Sequence, residues 1–490
     1  MLALLLAAAP AGAHVGSPNV FYDGVAGPYP VRVIVRPPLV IPGLAEITVK
    51  LGETKASGVT VQPIQWKAGP KGAPPPDFAV PVPGAPGVWS AQLWLMVGSS
   101  YGVLVHVQGP AGAGEVLVPV TAVPSQVLGM KKGMGAILAA LGLFLFAGAV
   151  TLVVSSVRES TLPPGEVPDE RRRRKARIAG VVAAVLFALV VWQGGVWWNN
   201  VNAKALDGVF KPFKIRTEVS LDSGNPLLSL AIADERSAES SPLMPDHGKL
   251  MHLFLLREPG LDAFAHLHPV RQALDDFKVA LPPLPAGRYR VYADVVHESG
   301  FPQTLVDTVT IPESGAGSPA GAALAPDPDD SWQAAEPLAA RASPGPKIAQ
   351  LGDGGTMLWN QEPLVSNRET TLRFDVRDAE GHPLPLEPYM GMLSHAVITR
   401  DDGKVFIHLH PMGTINMAAQ ESLEKKAGMA GMPAMDHASM AGMNHGPSVL
   451  SFPYEFPQPG RYRLWVQVKR GGQVRTGVFD AEVGRGASKS

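Results

Sequence analysis

The chain of 490 residues is too long for one ordinary domain, since about 100–200 residues per domain is typical. Its formal net charge of −1 excludes a general electrostatic attraction to nucleic acid. The absence of cysteine excludes disulfides, zinc–thiolate sites, iron–sulfur clusters and thiol nucleophiles. Any soft metal must therefore be held by histidine and methionine.

The chain begins with an apolar run, MLALLLAAAPAGAH, which ends in small residues. This pattern predicts a secretory signal peptide over residues 1–13, cleaved before His14. The basic residues that usually precede such a run are missing, so an uncleaved anchor is the alternative.

Residues 14–128 alternate short β-type runs, such as VRVIV and AEITVKL, with clusters of proline and glycine. This spacing predicts an exported N-terminal β-sandwich. After cleavage, the α-amino group and imidazole of His14 could together chelate Cu(II). His106 on a late strand would complete a histidine brace, with Asp23 as an oxygen ligand. An ordinary mature N-terminus is the alternative.

Two apolar stretches, residues 133–157 and 178–198, are long enough to cross a bilayer as helices. The segment 158–177 between them carries seven lysine or arginine residues, whereas the outer flanks carry only three. The positive-inside rule therefore predicts a cytoplasmic basic loop. The expected location is the inner (cytoplasmic) membrane, with the main domains facing the periplasm or the exterior.

The part of the chain after the second span contains one pattern twice. Residues 250–270, LMHLFLLREPGLDAFAHLHPV, match residues 393–412, LSHAVITRDDGKVFIHLHPM, and a GRYR strand follows each. The repeats predict β-sandwiches over 205–311 and 349–486, separated by a Pro/Ala-rich linker at 312–348. The predicted fold class is mainly β, with immunoglobulin-like β-sandwich domains joined by a two-helix transmembrane hairpin.

Each repeat brings three histidines to the ends of a predicted β-hairpin. Asp402-Gly403 is a strong two-residue turn signal, and it places residues whose numbers sum to 805 opposite each other. His395 then faces His410, and His408 shares their side because side chains two apart lie on one face. In the first copy the sum is 520, which groups three further histidines: His252, His266 and His268.

Three imidazoles on one face suit Cu(II), with zinc as the other candidate. Met412 and Met392 flank the second hairpin, and Met251 and His247 the first, as further candidate ligands; His297 could approach from another strand. Metal binds deprotonated imidazole, so an ordinary pKa predicts weaker binding as the pH falls through about 6.5. The alternative is structural: the His-Pro pairs turn the chain and the imidazoles bond to the backbone.

The second repeat contains an insertion, residues 425–446, which is rich in methionine and histidine. Its candidate ligands are Met429, Met432, Met435, His437, Met440, Met443 and His445. The other residues are mostly alanine, glycine and serine, so these methionines have no core to fill. Because thioether sulfur selects Cu(I), the insertion is predicted to trap Cu(I) as well as Cu(II). A disordered linker with incidental methionines is the alternative.

The hairpins MHLFLLREPGLDAFAHLHP and SHAVITRDDGKVFIHLHPMG, each followed by GRYR, resemble bacterial envelope proteins of the YtkA-like type. The resemblance implies β-sandwich domains and a role in handling heavy metals, chiefly copper. A mature chain that begins with histidine on a small β-sandwich is also similar in concept to periplasmic CopC-like copper carriers. The order of the CopC ligands is not found in this sequence.

These features together predict a membrane-anchored periplasmic protein that binds copper for tolerance, storage or delivery to other envelope copper proteins. The sequence contains no serine–histidine–aspartate triad, paired-carboxylate pocket, phosphate loop or nucleotide fingerprint, so an enzyme is not expected. Two alternatives come from other classes. One is a copper-dependent oxidative enzyme that uses the histidine brace, and the other is a structural or sensory envelope module.

Overall fold

The structure is a computed structural model, and it describes these residues: 14–16, 19–222, 225–313, 324–340, 345, 347–429 and 448–486. Strands take 45% of the residues and helices 19%, which confirms the mainly β prediction. The chain divides into two compact units. One contains the residues up to Ala122 together with those from Lys211 onward, and the other is Val123–Phe210.

The N-terminal sandwich has two sheets, ordered β2-β3-β4-β8-β7 and β10-β9-β5-β6. The strands up to Ala122 are β1 (His14–Val15), β2 (Val20–Ala26), β3 (Tyr29–Arg36), β4 (Gly43–Lys50), β5 (Gly58–Gln65), β6 (Asp77–Phe78), β7 (Val80–Pro81), β8 (Val88–Leu95), β9 (Ser99–Gly109) and β10 (Gly112–Ala122). Buried and more exposed residues alternate along the strands, so the buried residues lie on one face; in β4 these are Ala45, Ile47 and Val49. Strand β1 pairs with the C-terminal domain instead.

The second unit consists of two long helices, α1 (Lys132–Glu159) and α2 (Glu170–Asp207), with mean hydropathies of 2.6 and 2.1 over their most apolar windows. Both are long and apolar enough to cross a membrane. They approach closely at Gly180, where a Cβ would lie 2.6 Å from Cγ2 of Val154. The prediction of a basic loop up to residue 177 is wrong in part. Helix α2 begins at Glu170 because the Asp169 side chain caps it, so the basic run is helical.

The middle sandwich has two sheets, ordered β11-β12-β17-β16 and β13-β18-β14-β15-β20, with β19 pairing to β18. Its strands are β11 (Ile215–Asp222), β12 (Asn225–Ile232), β13 (Leu243–Met244), β14 (His252–Arg257), β15 (Ala263–Leu267), β16 (Val270–Arg271), β17 (Asp276–Ala280), β18 (Gly287–His297), β19 (Pro302–Ile311) and β20 (Ser331–Ala334). Strand β20 lies inside the predicted linker at 312–348. It pairs with the open edge of β15, so this part of the segment belongs to the domain.

The C-terminal sandwich has the sheets β1-β26-β25-β28-β29-β23 and β21-β22-β24-β27. Its elements are β21 (Lys347–Gln350), β22 (Thr356–Trp359), β23 (Leu364–Val365), β24 (Glu369–Arg377), β25 (Ser394–Arg400), β26 (Val405–Leu409), α3 (Met417–Ala427), β27 (Val449–Glu455), β28 (Gly460–Arg470) and β29 (Gln473–Gly484). Helix α3 was not predicted. It packs Leu423 against Ile64 and Leu117 of the N-terminal sandwich, and Ala418 and Ala419 against Val296 of the middle one.

The middle and C-terminal domains pack hairpin against hairpin. Phe264 stacks on Trp465 at 4.8 Å between ring centroids, and Phe406 stacks on Tyr292 at 3.9 Å. These contacts are reciprocal: Phe264 and Phe406 each lie two residues before the second histidine of their hairpin, and each packs on an aromatic residue of the other domain. The hairpin interface therefore has the two-fold character of a symmetric dimer within one chain. Its buried apolar residues are Phe254, Leu256, Leu261, Phe264, Tyr292, Val397, Phe406 and Trp465.

Candidate metal centre

The register of both hairpins is confirmed. Val397 pairs with His408, which gives the predicted sum of 805. Phe254 pairs with His266, which gives the predicted sum of 520. The histidines at the open ends therefore meet, with 5.0 Å between the ring centroids of His395 and His410. We name the first group, His252, His266 and His268, the middle triad, and the second group, His395, His408 and His410, the C-terminal triad.

Each imidazole of the middle triad has one ring nitrogen next to a hydrogen-bond acceptor. These pairs are His252 Nε2 with the Asp246 carbonyl (3.1 Å), His266 Nδ1 with Gln467 Oε1 (2.9 Å) and His268 Nδ1 with Asp330 Oδ1 (2.9 Å). A neutral imidazole has one N–H, so this network assigns the hydrogen to the paired nitrogen and leaves the other with a free lone pair. Such an arrangement is typical of metal-binding histidines, whose second nitrogen donates to a carboxylate or carbonyl.

The free lone pairs of the middle triad point at one another. His252 Nδ1 and His266 Nε2 are 3.1 Å apart, and the assignment places no hydrogen between them. The Nε2 of His268 is buried without a hydrogen-bond partner. A cation between the lone pairs would remove their repulsion. The 3.1 Å separation is compatible with both nitrogens binding one ion at metal–nitrogen distances of about 2.0–2.1 Å.

The C-terminal triad repeats this arrangement at two of its three histidines. The Nε2 of His395 lies 3.1 Å from the Tyr389 carbonyl and the Nδ1 of His410 lies 2.9 Å from the Ile415 carbonyl. The Nδ1 of His408 lies 3.6 Å from Asp294 Oδ2, which is too far for a hydrogen bond. His395 Nδ1 and His408 Nε2 again face each other at 3.1 Å. The Nε2 of His410 is buried without a partner, as in His268. In each triad one atom per histidine lies within 4.8 Å of the others.

The two triads share their supporting residues across the hairpin interface. Gln467, which accepts from His266 of the middle domain, belongs to the C-terminal domain. Asp294, which lies beside His408 of the C-terminal domain, belongs to the middle domain. Strand register makes the two equivalent, because Asp294 pairs with His252 and Gln467 pairs with His395. Each domain therefore places a polar side chain beside a triad histidine of the other.

Burial favours the neutral form of five of the triad imidazoles. It lowers the pKa of His252 to about 3 and that of His410 to about 4, and neighbouring histidines contribute to both shifts. Burial and the nearby histidines also place the pKa values of three others well below the ordinary value: His266, His395 and His408. The expectation that protons compete with metal near pH 6.5 is therefore wrong for these histidines. Protons should compete with metal only at lower pH, because both bind to the same nitrogen lone pair.

The pKa values of two carboxylates at the interface are shifted in opposite directions. Burial raises the pKa of Asp294 to about 7, although a hydrogen bond from Thr304 acts against it. Burial acts to raise the pKa of Asp246 as well, but its electrostatic coupling to the surrounding imidazoles and a hydrogen bond from the backbone of Ala418 lower it overall. Asp246 accepts this 2.9 Å hydrogen bond from the backbone N–H of Ala418 in the first turn of α3. It thus links the centre to the helix that follows the C-terminal hairpin.

A surface cavity lies beside one histidine of the middle triad, His268. This cavity of about 190 Å³ is lined by His268, Asp327 and Asp330 among others. One ligand atom from each of these three residues lies within 4.8 Å of the others. Lys249 binds Asp327 at 2.6 Å and neutralises part of this charge. The carboxylates would attract a cation toward His268.

The methionines that flank the hairpins pack in cores. Met412, predicted as an extra ligand, and Met392 are buried with Tyr22 in the core of the N-terminal sandwich. Met251 is buried in the core of the middle sandwich. Apolar packing accounts for all three without a metal. Both ring nitrogens of His297 have partners within its own domain: Nδ1 donates to the Ser241 carbonyl at 2.7 Å, and Nε2 accepts from Gln303 Nε2 at 2.9 Å.

The residues of the predicted histidine brace lie in different sheets. The backbone of His14 pairs with Val405 at the edge of the C-terminal sheet. His106 lies on β9 of the N-terminal sandwich, with its Nδ1 3.1 Å from Glu115. Asp23 is paired with Arg32 at 2.5 Å. Each described side chain of the predicted brace thus has a partner of its own, and the brace stays a prediction.

The Met/His insertion begins at the far end of α3 from the triads. Gly428 ends the helix in the left-handed conformation, and Met429 packs beside Trp66 on the N-terminal sandwich. The 11 residues of α3 separate this point from Asp246 by about 16 Å. The other predicted ligands of the insertion lie outside the described residues: Met432, Met435, His437, Met440, Met443 and His445.

Sequence reasoning missed the convergence of the triads, although a signal was present. An exposed face of a hairpin should carry polar residues, yet the face with His266 and His408 carries Phe254, Phe264 and Phe406. That apolar face predicts a partner sheet. Sequence reasoning also assigned His247 only to its own hairpin, whereas its ring centroid lies 5.0 Å from that of His410.

A family model described as "Domain of unknown function (DUF8832)" matches residues 213–313 and 349–485. No curated protein matches the chain. Among solved structures, dimeric latent PorU from Porphyromonas gingivalis is 8% identical, with 96% of this chain and 34% of that chain covered and a TM-score of 0.15. Escherichia coli alpha-2-macroglobulin activated by porcine elastase is 9% identical, with 92% and 30% covered and a TM-score of 0.17. The chain spans about a third of the length of these two proteins. It is similar to the DUF8832 family over the two sandwiches that carry the triads.

Proposed function

We propose that this protein is a membrane-anchored metal-binding protein that holds copper in the middle and C-terminal triads. One observation carries the proposal: in each triad three buried imidazoles bring ligand atoms within 4.8 Å of one another, and in the middle triad every second nitrogen lies beside an acceptor, so that the remaining lone pairs converge. A purely structural role for these imidazoles would pair a donor with each acceptor. Two facing acceptors in a buried site are costly unless a cation lies between them.

Copper is the metal that the donor set supports best. Imidazole nitrogen suits Cu(II) and Zn(II), and Cu(II) binds more tightly than Zn(II) to a given nitrogen site. The insertion at 425–446 adds methionine sulfur, which favours Cu(I) over zinc. Copper handling is also what the resemblance to YtkA-like envelope proteins implies. Zinc is the competing ion in the test below.

The distribution of lysine and arginine around the two apolar stretches indicates how the chain is oriented in the membrane. Helices α1 and α2 have the length and hydropathy to cross a bilayer. The seven lysine and arginine residues between the two apolar stretches favour a cytoplasmic position for the connecting segment. In this arrangement the domains that carry the triads face the periplasm or the exterior. Copper bound there would serve tolerance, storage or delivery to other envelope proteins.

Burial and cavity size favour binding over catalysis. The side chains of His268 and His408 are each 3% exposed. The cavity beside His268, about 190 Å³, is smaller than the roughly 300–1,000 Å³ of typical small-molecule sites. A larger cavity of about 440 Å³ lies around Trp359 and Asp375, which belong to neither triad. An ion can reach the middle triad, whereas an organic substrate has little room beside it.

Metal titration of the purified full chain tests the proposal. The chelator-treated protein should bind two Cu(II) ions per chain at the triads, in addition to any held by the insertion at 425–446, and copper should displace zinc from the triads. The variant His266→Gln with His408→Gln should lose both ions. The matched control is His382→Ala, because the side chain of His382 is 75% exposed and lies outside the triads. Absence of copper binding by the wild type, or unchanged binding by the double variant, would refute the proposal.

A further inference from the structure

His247 is a buried imidazole without a hydrogen-bond partner for its Nε2. Its side chain is 5% exposed, and the nearest carboxylate oxygen, Asp246 Oδ2, is 3.9 Å from Nε2. It occupies the tight turn between Asp246 and Lys249 with φ of 51°, a left-handed conformation that few residues adopt. A residue held in a strained turn with an unpaired buried nitrogen indicates a functional constraint.

The ring of His247 faces the C-terminal triad, although the residue belongs to the middle domain. Its centroid lies 5.0 Å from that of His410 and 5.3 Å from that of His395. The centroid of His252, in its own domain, is farther away at 6.2 Å. Ligand atoms of Asp246, His247 and His410 lie within 4.8 Å of one another. His410 belongs to both this group and the C-terminal triad, so an ion bound by His410 would have the imidazole of His247 nearby.

We propose that His247 is the fourth ligand of the C-terminal triad, which completes a four-imidazole metal site shared by two domains. The inference rests on the proposed function, because it concerns the same ion. Four imidazole nitrogens give the ion a full set of strong ligands from the protein itself. The C-terminal site is then a holding site whose ion ties the middle domain to the C-terminal one.

Because the two hairpins are related by an approximate two-fold axis, the residue equivalent to His247 in the other half can serve as a control. Met390 is the counterpart of His247: each lies five residues before the first histidine of its hairpin. The turn of Met390, between Tyr389 and Met392, has the same paired backbone hydrogen bonds, and φ of Met390 is 49°. The same type of turn thus carries the imidazole of His247 in the middle domain and the thioether of Met390 in the C-terminal domain. Any effect of the turn itself should appear at both positions, whereas the ligand effect on the C-terminal site should appear only at His247.

The test uses the full chain with His268→Gln, which disables the middle triad and leaves one Cu(II) site. In this background His247→Asn should weaken Cu(II) binding at least about 100-fold, in line with the loss of a ligand from a metal site. Asparagine tolerates the left-handed turn, so the fold is retained. The Cu(II) electron paramagnetic resonance spectrum should also change, since one nitrogen leaves the copper. Met390→Asn is the matched control and should leave both the affinity and the spectrum unchanged.

Each other outcome has a distinct meaning. An unchanged affinity and spectrum in His247→Asn would overturn the inference while leaving the proposed function intact. Two ions in the His268→Gln background, of which His247→Asn removes one without affecting the other, would show a separate site with Asp246, and would also overturn it. An equal loss in Met390→Asn would attribute the effect to the turn and refute the ligand role. Failure of the wild type to bind copper would refute the proposed function itself.

Discussion

Acidification of the metal-free protein should unfold the hairpin interface well above the pH at which most domains fail. Five buried histidines of the triads have pKa values below the ordinary value: His252, His266, His395, His408 and His410. In the unfolded chain each would titrate near about 6.5. Below that pH the unfolded state binds more protons than the folded state, so stability falls as the pH falls.

The size of the loss follows from the proton count. Each such histidine changes the free energy of unfolding by about 1.4 kcal/mol per pH unit between its unfolded and folded pKa values. The raised pKa of Asp294, about 7, has the opposite sign, because the folded state then takes up a proton first and gains stability as the pH falls. The proton bound by Asp294 in the folded state offsets the proton bound by one histidine in the unfolded state. The unfolded state therefore binds about four more protons than the folded state. The loss is therefore about 5 kcal/mol between pH 6 and pH 5, against a typical stability of about 5–15 kcal/mol.

Urea unfolding at a series of pH values measures this slope. Trp465 is fully buried at the hairpin interface, so its fluorescence reports opening there. The metal-free midpoint should be constant above about pH 7 and fall steeply below pH 6. Copper should move the loss to lower pH, and His266→Gln with His408→Gln should reduce the slope by about half. A midpoint that is equal at pH 7.5 and pH 5.5 would refute the reasoning, since it would mean that the rings are protonated or hydrated in the folded state.

Four other outcomes are expected. Gln467→Leu should weaken copper at the middle triad about 10–100-fold in a chelator competition, because His266 loses its cross-domain acceptor; binding equal to that of the exposed control Gln473→Leu would contradict this. Trp465→Ala should cost about 3–5 kcal/mol in urea unfolding, and a loss below 1 kcal/mol would contradict the packing at Phe264. Deletion of residues 430–446 should reduce Cu(I) capture while Cu(II) titration of the triads is unchanged; equal loss of both would make them one site. Reporter fusions should place residue 165 in the cytoplasm and residue 300 outside it, and the reverse result would refute the orientation.

Local signals predicted the hairpins well, because a two-residue turn determines the pairing of every residue on both strands. Asp402-Gly403 alone predicted that Val397 pairs with His408, and the structure agrees. Boundaries governed by capping or tertiary contact were missed. Helix α2 begins at Glu170 because of a cap at Asp169, and β20 forms only because an open edge of β15 is present to pair with it.

The centre itself could be predicted only in part. Period-two spacing groups the histidines within each hairpin, but nothing local states that two hairpins 140 residues apart meet face to face. The second nitrogens depend on the same meeting, since Gln467 and Asp294 reach the triads from the opposite domain. For the same reason the sequence assigned His247 to its own hairpin, whereas its ring lies beside that of His410 in the C-terminal domain. Interpretation of the aromatic face of each hairpin as an interface would have predicted the convergence.

The reciprocal contacts of the two hairpins are those of a symmetric homodimer, so the chain has the form of a duplicated and fused dimer. A single-copy ancestor would have built two identical sites and exchanged identical supporting residues between subunits. Fusion removes the requirement that the halves stay identical. One half now carries His247, Asp294 and Asp330, whereas the other carries Met390, Gln467 and helix α3. A related protein with one copy of the domain should therefore dimerise through this face, and its two sites should be equal where these two are distinct.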